Sequence, residues 1–373
     1  MRKYLLKSVI VSRWEFQGLR SSNSARNKMA KISFNDISFT YEGSEAETIK
    51  GFQLAIEDGE ILSLLGKSGS GKTTLLKIMA GLLSPQKGRL CFDNEDVTQL
   101  TAKKRDIAQV FQFPVLYDSM NVEDNVKFPL RIKKLPEIEV LKRFERVCSL
   151  LELDPILKSK SKDLSLYQRQ IVSIARAFVR PNLKAVFLDE PLTALSPKLK
   201  WQLRKKIKTL QREDRVTMVF VTHDQTEALS FADRVGIIDA GTLVQLDEPK
   251  TIYERPLTTF VGDFIGNPGM NFLPVEAFFS KHDSRKKASK VGFRAEWAEL
   301  AEVGEGGLSG KVVGFEADRT RDHQPYGTTY IHSNFGQMRV RGAYQRLVGK
   351  TVSVRLTSHL FFDSNDTLIN EDG

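Results

Sequence analysis

Cysteine is nearly missing from this 373-residue chain. The two that occur, Cys91 and Cys148, lie far apart and in no metal-ligand spacing. That excludes a disulfide framework and a cysteine zinc site, and both are expected as reduced thiols. Long apolar runs are also missing. No stretch approaches the roughly 20 residues that a membrane-spanning helix needs, so any work at a membrane is done through a partner. Acid is scarce in one place only. Residues 1–28 carry Arg2, Lys3, Lys7, Arg13, Arg20, Arg26 and Lys28 against Glu15 alone, which takes six of the ten net positive charges. The small excess left for the remainder implies no nucleic-acid partner.

The basic, Ser-rich, acid-poor composition of residues 1–28 is that of an organelle transit peptide. The preferred reading is a mis-assigned start, with Met29 as the true first residue, because a regular strand pattern begins just after it. Disorder is expected on either reading. The length favours two or three domains.

Residues 31–41 alternate apolar and polar as a half-buried strand does, and Phe52–Ile56 reads as a second strand. The Asp58-Gly59 turn leads into the apolar run Ile61–Leu65. A helical pattern then places Leu75, Leu76, Met79, Leu82 and Leu83 on one face. Residues 115–165 read as mostly helical, with Leu141, Phe144, Val147 and Leu151 as core. Three continuous apolar runs, Ala185–Leu188, Val216–Val221 and Val235–Ile238, suit strands buried on both faces of a parallel sheet. The helical stretch Lys198–Leu210 makes the first two a βαβ unit. Beyond residue 250 glycines recur among short alternating stretches (Gly310–Phe315, Thr328–Ile331, Thr351–Leu356), as in a small β-rich domain.

The segment Gly66-Lys67-Ser68-Gly69-Ser70-Gly71-Lys72-Thr73 fits G-x-x-x-x-G-K-[ST]. Glycines let the backbone wrap a phosphate with its N–H groups inward. The helix that starts there aims its positive end at the same anion. Lys72 supplies a point charge to the β- and γ-phosphates, and the Thr73 hydroxyl can hold Mg²⁺. Phe187-Leu188-Asp189-Glu190 ends a buried strand with two carboxylates, where ligands of open α/β sheets sit. Asp189 is placed to bind Mg²⁺ through water and Glu190 to polarise an attacking water. His223 follows the next strand.

In this order the motifs resemble those of the ATPase subunits of ABC importers, over about residues 31–245. The resemblance implies that Tyr41 stacks on adenine, and that Thr74 adjoins the nucleotide. It makes Gln112 the glutamine that touches Mg²⁺ and senses the membrane subunit. Ser165 to Gln170, followed by Ile174-Ala175-Arg176-Ala177, becomes the signature segment, in which Ser165 and Gln168 meet nucleotide. Glu190, His223 and Lys72 become catalytic, with ATP and Mg²⁺ as cofactors. The fold implied is an α/β P-loop NTPase (RecA-like) core over residues 29–248. It carries an antiparallel β subdomain and a helical insert at about 113–165. Phe264–Leu273 and Gly292–Glu296 resemble landmarks of a C-terminal β-rich, OB-like regulatory and dimerisation domain (249–373), found in importers of sugars, glycerol phosphate and related polyols.

Two departures stand out. The family's signature reads LSGGQ, whereas this chain has Leu164-Ser165-Leu166-Tyr167-Gln168. Side chains at 166 and 167 restrict the close approach of backbone N–H groups to a phosphate held by the other subunit of a dimer, although Ser165 still caps the helix. The loop after Glu190 ends in Ser196 where the family has Asp. Both changes affect what the chain offers its neighbour, so a heterodimer with a second ATPase subunit is expected over a homodimer. The other partners implied are integral membrane permease subunits, with a solute-binding protein in the same system. The place implied is peripheral, on the cytoplasmic face of the cell inner membrane. The alternatives are an ABC-type ATPase outside transport, a catalytically weakened ATP-binding regulatory module and, more distantly, a small-molecule kinase.

Overall fold

The computed structural model describes residues 30–279, 287–303, 307–321 and 324–369. The readings made for residues 1–28 lie outside them.

The chain opens with strands β1 (Ile32–Phe39), β2 (Ile49–Ile56) and β3 (Ile61–Leu65), then helix α1 (Lys72–Ala80). Strands β4 (Lys87–Phe92), β5 (Glu95–Asp96) and β6 (Ile107–Val110) follow. Helices α2 (Val122–Ile132), α3 (Glu137–Leu151) and α4 (Leu166–Phe178) lie between β6 and β7 (Ala185–Asp189). Then come α5 (Pro197–Asp214), β8 (Thr217–Thr222), α6 (Gln225–Phe231), β9 (Arg234–Asp239) and β10 (Thr242–Asp247).

Six strands make the central sheet in the order β10-β9-β3-β8-β7-β6. Pairing is parallel except between β9 and β10. The continuous apolar runs have a simple cause. Alternate residues feed two different cores, because successive side chains of a strand point to opposite faces. Ile61, Leu65, Val186, Leu188, Met218 and Phe220 pack with α2–α5 on one face. Leu62, Leu64, Phe187, Val219 and Val221 pack on the other, with α1 and the antiparallel sheet β2-β1-β4-β5.

Two expectations fail locally. Leu82 and Leu83 are not on α1, which stops at Ala80. Gly81 takes a left-handed φ of 72° and the Leu82 N–H returns to the Lys77 carbonyl at 2.9 Å, a helix-ending pattern that only a residue without Cβ adopts freely. Leu82 is therefore exposed. Leu141 is not core either. The buried stripe of α3 is Val140, Phe144, Val147, Cys148 and Leu151, and Leu141 falls beyond its edge. Strands β4, β6 and β10 were not anticipated.

The carbonyls at the end of α1 are held by Arg105, which is 2% exposed. Its guanidinium donates to the carbonyls of Ile78 (2.6 Å), Met79 (2.9 Å), Thr98 (3.0 Å) and Leu100 (2.8 Å). Burial pulls its pKa down to about 10.

After β10 come the short helices α7 (Pro249–Glu254) and α8 (Thr259–Phe264) and strands β11 (Asn271–Pro274), β12 (Lys290–Phe293) and β13 (Ala298–Ala301). Strands β14 (Leu308–Arg321), β15 (Gln324–Ser333), β16 (Gly336–Gly342), β17 (Thr351–Leu356) and β18 (Leu360–Phe362) complete the chain. They form a three-stranded sheet, β11-β12-β18, and a five-stranded sheet, β13-β17-β14-β15-β16. The long β14 pairs with both β17 and β15, and register shifts interrupt its pairing with β15. Such bulges bend and twist a strand. The Asn271 side chain joins the two sheets, accepting from the Arg339 N–H (2.8 Å) and donating to its carbonyl (2.9 Å). Among the described residues, no helix is long and apolar enough to cross a membrane.

Candidate nucleotide site

The phosphate-type loop leaves the carboxyl end of β3 and closes into α1. Gly66 is required there, since a Cβ would lie 2.2 Å from the Ile238 carbonyl oxygen. At Gly69 and Gly71 the demand is on the backbone, with φ of 81° and 103°. The Lys72 ammonium folds back over the loop, donating to the carbonyls of Gly66 (2.9 Å) and Lys67 (2.8 Å). Burial lowers its pKa, opposed by Glu190 and Asp189. No side chain caps the start of α1. Its first N–H groups therefore remain available to an anion. Ser68 and Thr73 are exposed, whereas Ser70 and Thr74 are buried. The cradle fits a polyphosphate. It is lined by backbone donors, and a side chain at Gly66 would disrupt it.

Asp189 and Glu190 sit at the end of β7, which pairs with β8, the neighbour of β3. Asp189 is half-buried. Its pKa is raised by burial and by Glu190, and held back by Lys77 and Lys72. The Glu190 carboxylate is held at both oxygens. His223 Nδ1 lies 3.0 Å from Oε1, and the Thr193 hydroxyl donates to Oε2 at 3.2 Å. Glu190 itself has a φ of 45°, a left-handed conformation that non-glycine residues adopt at a cost. Its N–H donates to the Val221 carbonyl (2.9 Å), which ties it to the strand that ends before His223.

Tyr41 stands beside the start of α1. Its hydroxyl lies 3.1 Å from Thr74 Oγ1 and its ring meets Phe39 edge-on at 4.9 Å. The ring remains 38% exposed, enough to offer a face to a base. Gln112 follows β6, whose Val110 pairs with Leu188, so it emerges one strand beyond Asp189. A Mg²⁺ site built from Thr73, Gln112 and Asp189 needs no cluster of carboxylates, because Mg²⁺ is commonly held by one or two of them together with phosphate oxygens and water. No cluster of three or more His, Cys, Asp or Glu suited to a metal occurs among the described residues.

The signature segment stands apart from this group. Ser165 and Gln168 are engaged with each other in a reciprocal cap of α4. The Gln168 N–H donates to Ser165 Oγ (3.3 Å), and the Ser165 N–H donates to Gln168 Oε1 (2.9 Å). Among the described residues no hydrogen bond links them to Gly66–Thr73. The two side chains that replace glycines diverge. Leu166 is 41% exposed at the helix start. Tyr167 is half-buried against the helical core and lines a groove of about 660 Å³ with Ile156, Trp201 and Lys205.

Thr193 was not singled out from the sequence. Its position three residues after Glu190 was the available signal. Lys67 was expected at the nucleotide; its ammonium lies over the Phe260 ring of α8, 5.4 Å from the centroid.

A family model described as ABC transporter matches residues 49–193. The chain is 46% identical over 246 residues to the sn-glycerol-3-phosphate import ATP-binding protein UgpC of Cereibacter sphaeroides, covering 66% of this chain and 70% of that protein. It is 36% identical over 367 residues to the UgpC of Cupriavidus necator, covering 91% and 94%. Among solved structures, the dimeric post-hydrolysis state of the ATP-binding cassette MJ0796 bound to ADP and Pi matches with a TM-score of 0.53 and 31% identity, over 58% of this chain and 98% of that one. The chain has a strand-borne phosphate loop, a carboxylate pair on the next strand but one and an intervening histidine; with a relative 36% identical over 91% of its length, it belongs to the ATP-binding proteins of the ABC transporter family.

Proposed function

We propose that this protein is the ATP-hydrolysing, energy-coupling subunit of an ABC importer for a carbohydrate or polyol, with glycerol phosphate the first candidate. The observation that carries the reading is the convergence of three elements at the carboxyl ends of three adjacent parallel strands. They are the Lys72 loop after β3, His223 after β8 and the Asp189–Glu190 pair on β7. The relatives' names supply the solute class.

The residues divide the work as follows. Gly66–Thr74 and the Lys72 ammonium hold the phosphates, and Tyr41 offers its ring to the base. Thr73, Asp189 and Gln112 would hold Mg²⁺, which would neutralise phosphate charge and polarise the phosphoryl group. Glu190, fixed by Thr193 and His223, orients water and accepts its proton. His223 would also contact the γ-phosphate. The chain divides at about residue 248 into a nucleotide-binding domain, with its helical insert at 113–165, and a C-terminal regulatory and dimerisation domain.

The permease is received on the helical side, in a groove of about 640 Å³ lined by Phe111, Val115, Tyr117, Ile132 and Arg180. Phe111, Val115, Tyr117 and Ile132 are exposed apolar side chains, as a docking surface for a membrane subunit's helix requires. The protein then sits peripherally on the cytoplasmic face of the inner membrane, with a solute-binding protein on the far side.

Leu166 stands where the family presents glycine to the other subunit's phosphate. The reading is therefore an asymmetric dimer, in which a second ATPase completes this chain's site and receives a weakened one in return. Losing one preorganised donor at such a site costs about 3 kcal/mol. The test is a pull-down from native membranes with this chain as bait, every ATPase and permease subunit being identified by mass spectrometry. A second, different ATPase beside permease subunits is expected. Recovery of this ATPase alone with a permease overturns the asymmetric dimer, and recovery without any permease overturns the importer.

A further inference from the structure

We propose that Gln225 is a positioning residue for His223, and that it ties the histidine loop to the C-terminal domain through α8. The inference rests on the catalytic reading of Glu190 and His223 given above.

Gln225 opens α6, two residues after His223. Both ends of its amide are used on backbone some 40 residues away. Nε2 donates to the Phe264 carbonyl, and Oε1 accepts from the Gly266 N–H at 2.9 Å. The histidine side chain has little else to hold it, being 53% exposed with its Nδ1 against Glu190. On its other side the loop is pinned by its own residues and by Lys200 of α5, whose ammonium donates to Asp224 Oδ2 at 3.1 Å and lies 2.7 Å from Glu227 Oε1. The Asp224 N–H donates to Thr222 Oγ1 (3.0 Å), and Asp224 caps α6 by accepting from the Glu227 N–H. Just as Lys200 fixes the loop to α5, Gln225 is the strut that fixes it to α8.

That element also touches the phosphate loop. Phe264 stacks on Phe260, with centroids 5.6 Å apart and planes 5° from parallel, and Phe260 lies under the Lys67 ammonium. One short helix therefore contacts both loops that would flank a γ-phosphate.

The far side of α8 is fastened by Arg294, which follows β12 and is fully buried. Its guanidinium donates to the carbonyls of Gly262 (2.9 Å), Ile265 and Tyr253 (2.7 and 3.1 Å) and lies over the Tyr253 ring at 4.2 Å. A displacement of the three-stranded sheet is thereby passed, through Arg294, α8 and Gln225, to the backbone beside His223.

The test uses the full-length chain and two readouts. The first is hydrogen–deuterium exchange without nucleotide. Gln225→Ala should speed exchange about tenfold both at 262–267 and at 222–228. Gln225→Glu, which keeps the acceptor for the Gly266 N–H, should leave Gly266 protected. The second is steady-state hydrolysis by the assembled transporter. Gln225→Ala should lower kcat about tenfold at unchanged KM. In a His223→Ala background it should cost nothing more, because the two residues act as one unit. Unchanged exchange at 222–228, or losses that multiply, would overturn the proposal. A wild-type complex that fails to hydrolyse ATP would sink the ATPase reading instead, and exchange alone would then decide whether Gln225 fixes the loop.

Discussion

His223 Nδ1 lies 3.0 Å from the Oε1 of Glu190, and Glu190 makes that contact from a left-handed backbone, φ 45°. The carboxylate is thus aimed by a conformation that costs about 1–3 kcal/mol in a residue with a side chain. Asparagine tolerates this region better than glutamate does. Glu190→Asn also removes a negative charge beside Asp189. The variant should be more stable by about 1 kcal/mol, and slower in hydrolysis by on the order of 100-fold or more. Denaturant midpoints and steady-state rates measure the two effects. A variant that is both slower and less stable would mean that the backbone at Glu190 stores no strain.

The glycines of the phosphate loop should separate into two kinds. A methyl group at Gly66 would lie 2.2 Å from the Ile238 carbonyl oxygen, so Gly66→Ala must shift backbone. It should weaken nucleotide binding on the order of 100-fold. Gly69 has open space around its Cβ position and a φ of 81°. Gly69→Ala should cost about 1 kcal/mol of stability and change affinity only a few-fold. Titration with a fluorescent ATP analogue distinguishes them, and equal losses would show that shape at Gly66 is not the constraint.

Arg105 holds four backbone carbonyls beneath α1. Arg105→Met fills part of the space and leaves those carbonyls without their donor. A loss of about 3 kcal/mol in urea unfolding is expected, with the slope unchanged. Arg105→Lys should recover only a fraction, because an ammonium cannot reproduce the planar fork. Full recovery by lysine would reduce the arginine's role to charge.

Acid should loosen the helical insertion through Glu123. The Lys127 and Lys158 ammonium groups donate to its carboxylate at 2.7 and 2.6 Å and hold its pKa down to about 2, against an ordinary 4.5. The folded state then binds fewer protons than the unfolded state between those values. The stabilisation is complete above pH 4.5 and disappears as pH falls to about 2. Glu123→Gln should flatten the acid limb of the stability profile, read as the difference from wild type. Parallel acid limbs would show that the two lysines do not bias this carboxylate.

Strands β3, β7, β8 and β9 were legible in the sequence because both faces of the sheet are buried, which leaves uninterrupted apolar runs. Strand β6, Ile107-Ala108-Gln109-Val110, is too short and carries a glutamine. Strand β10 lies at the sheet edge, where half-buried polar residues are tolerated and the pattern fades. The phosphate loop, Asp189, Glu190 and His223 were legible because each motif is local. What holds them was not. Phe264 and Gly266 are about 40 residues from Gln225, and Phe260 is farther still from Lys67. No spacing rule connects them. Likewise, the sequence placed a tyrosine at 167 but could not say that its ring would turn toward the helical core while Leu166 stays outside.

That turn has a pharmacological consequence. In a relative with LSGGQ, the position of Tyr167 has no side chain and can contribute nothing to a groove. Here a phenol forms part of the wall beside Trp201 and Lys205. A small molecule recognised through that phenol would act on this ATPase and pass over relatives that share its nucleotide chemistry, a selectivity that no analogue of ATP could achieve.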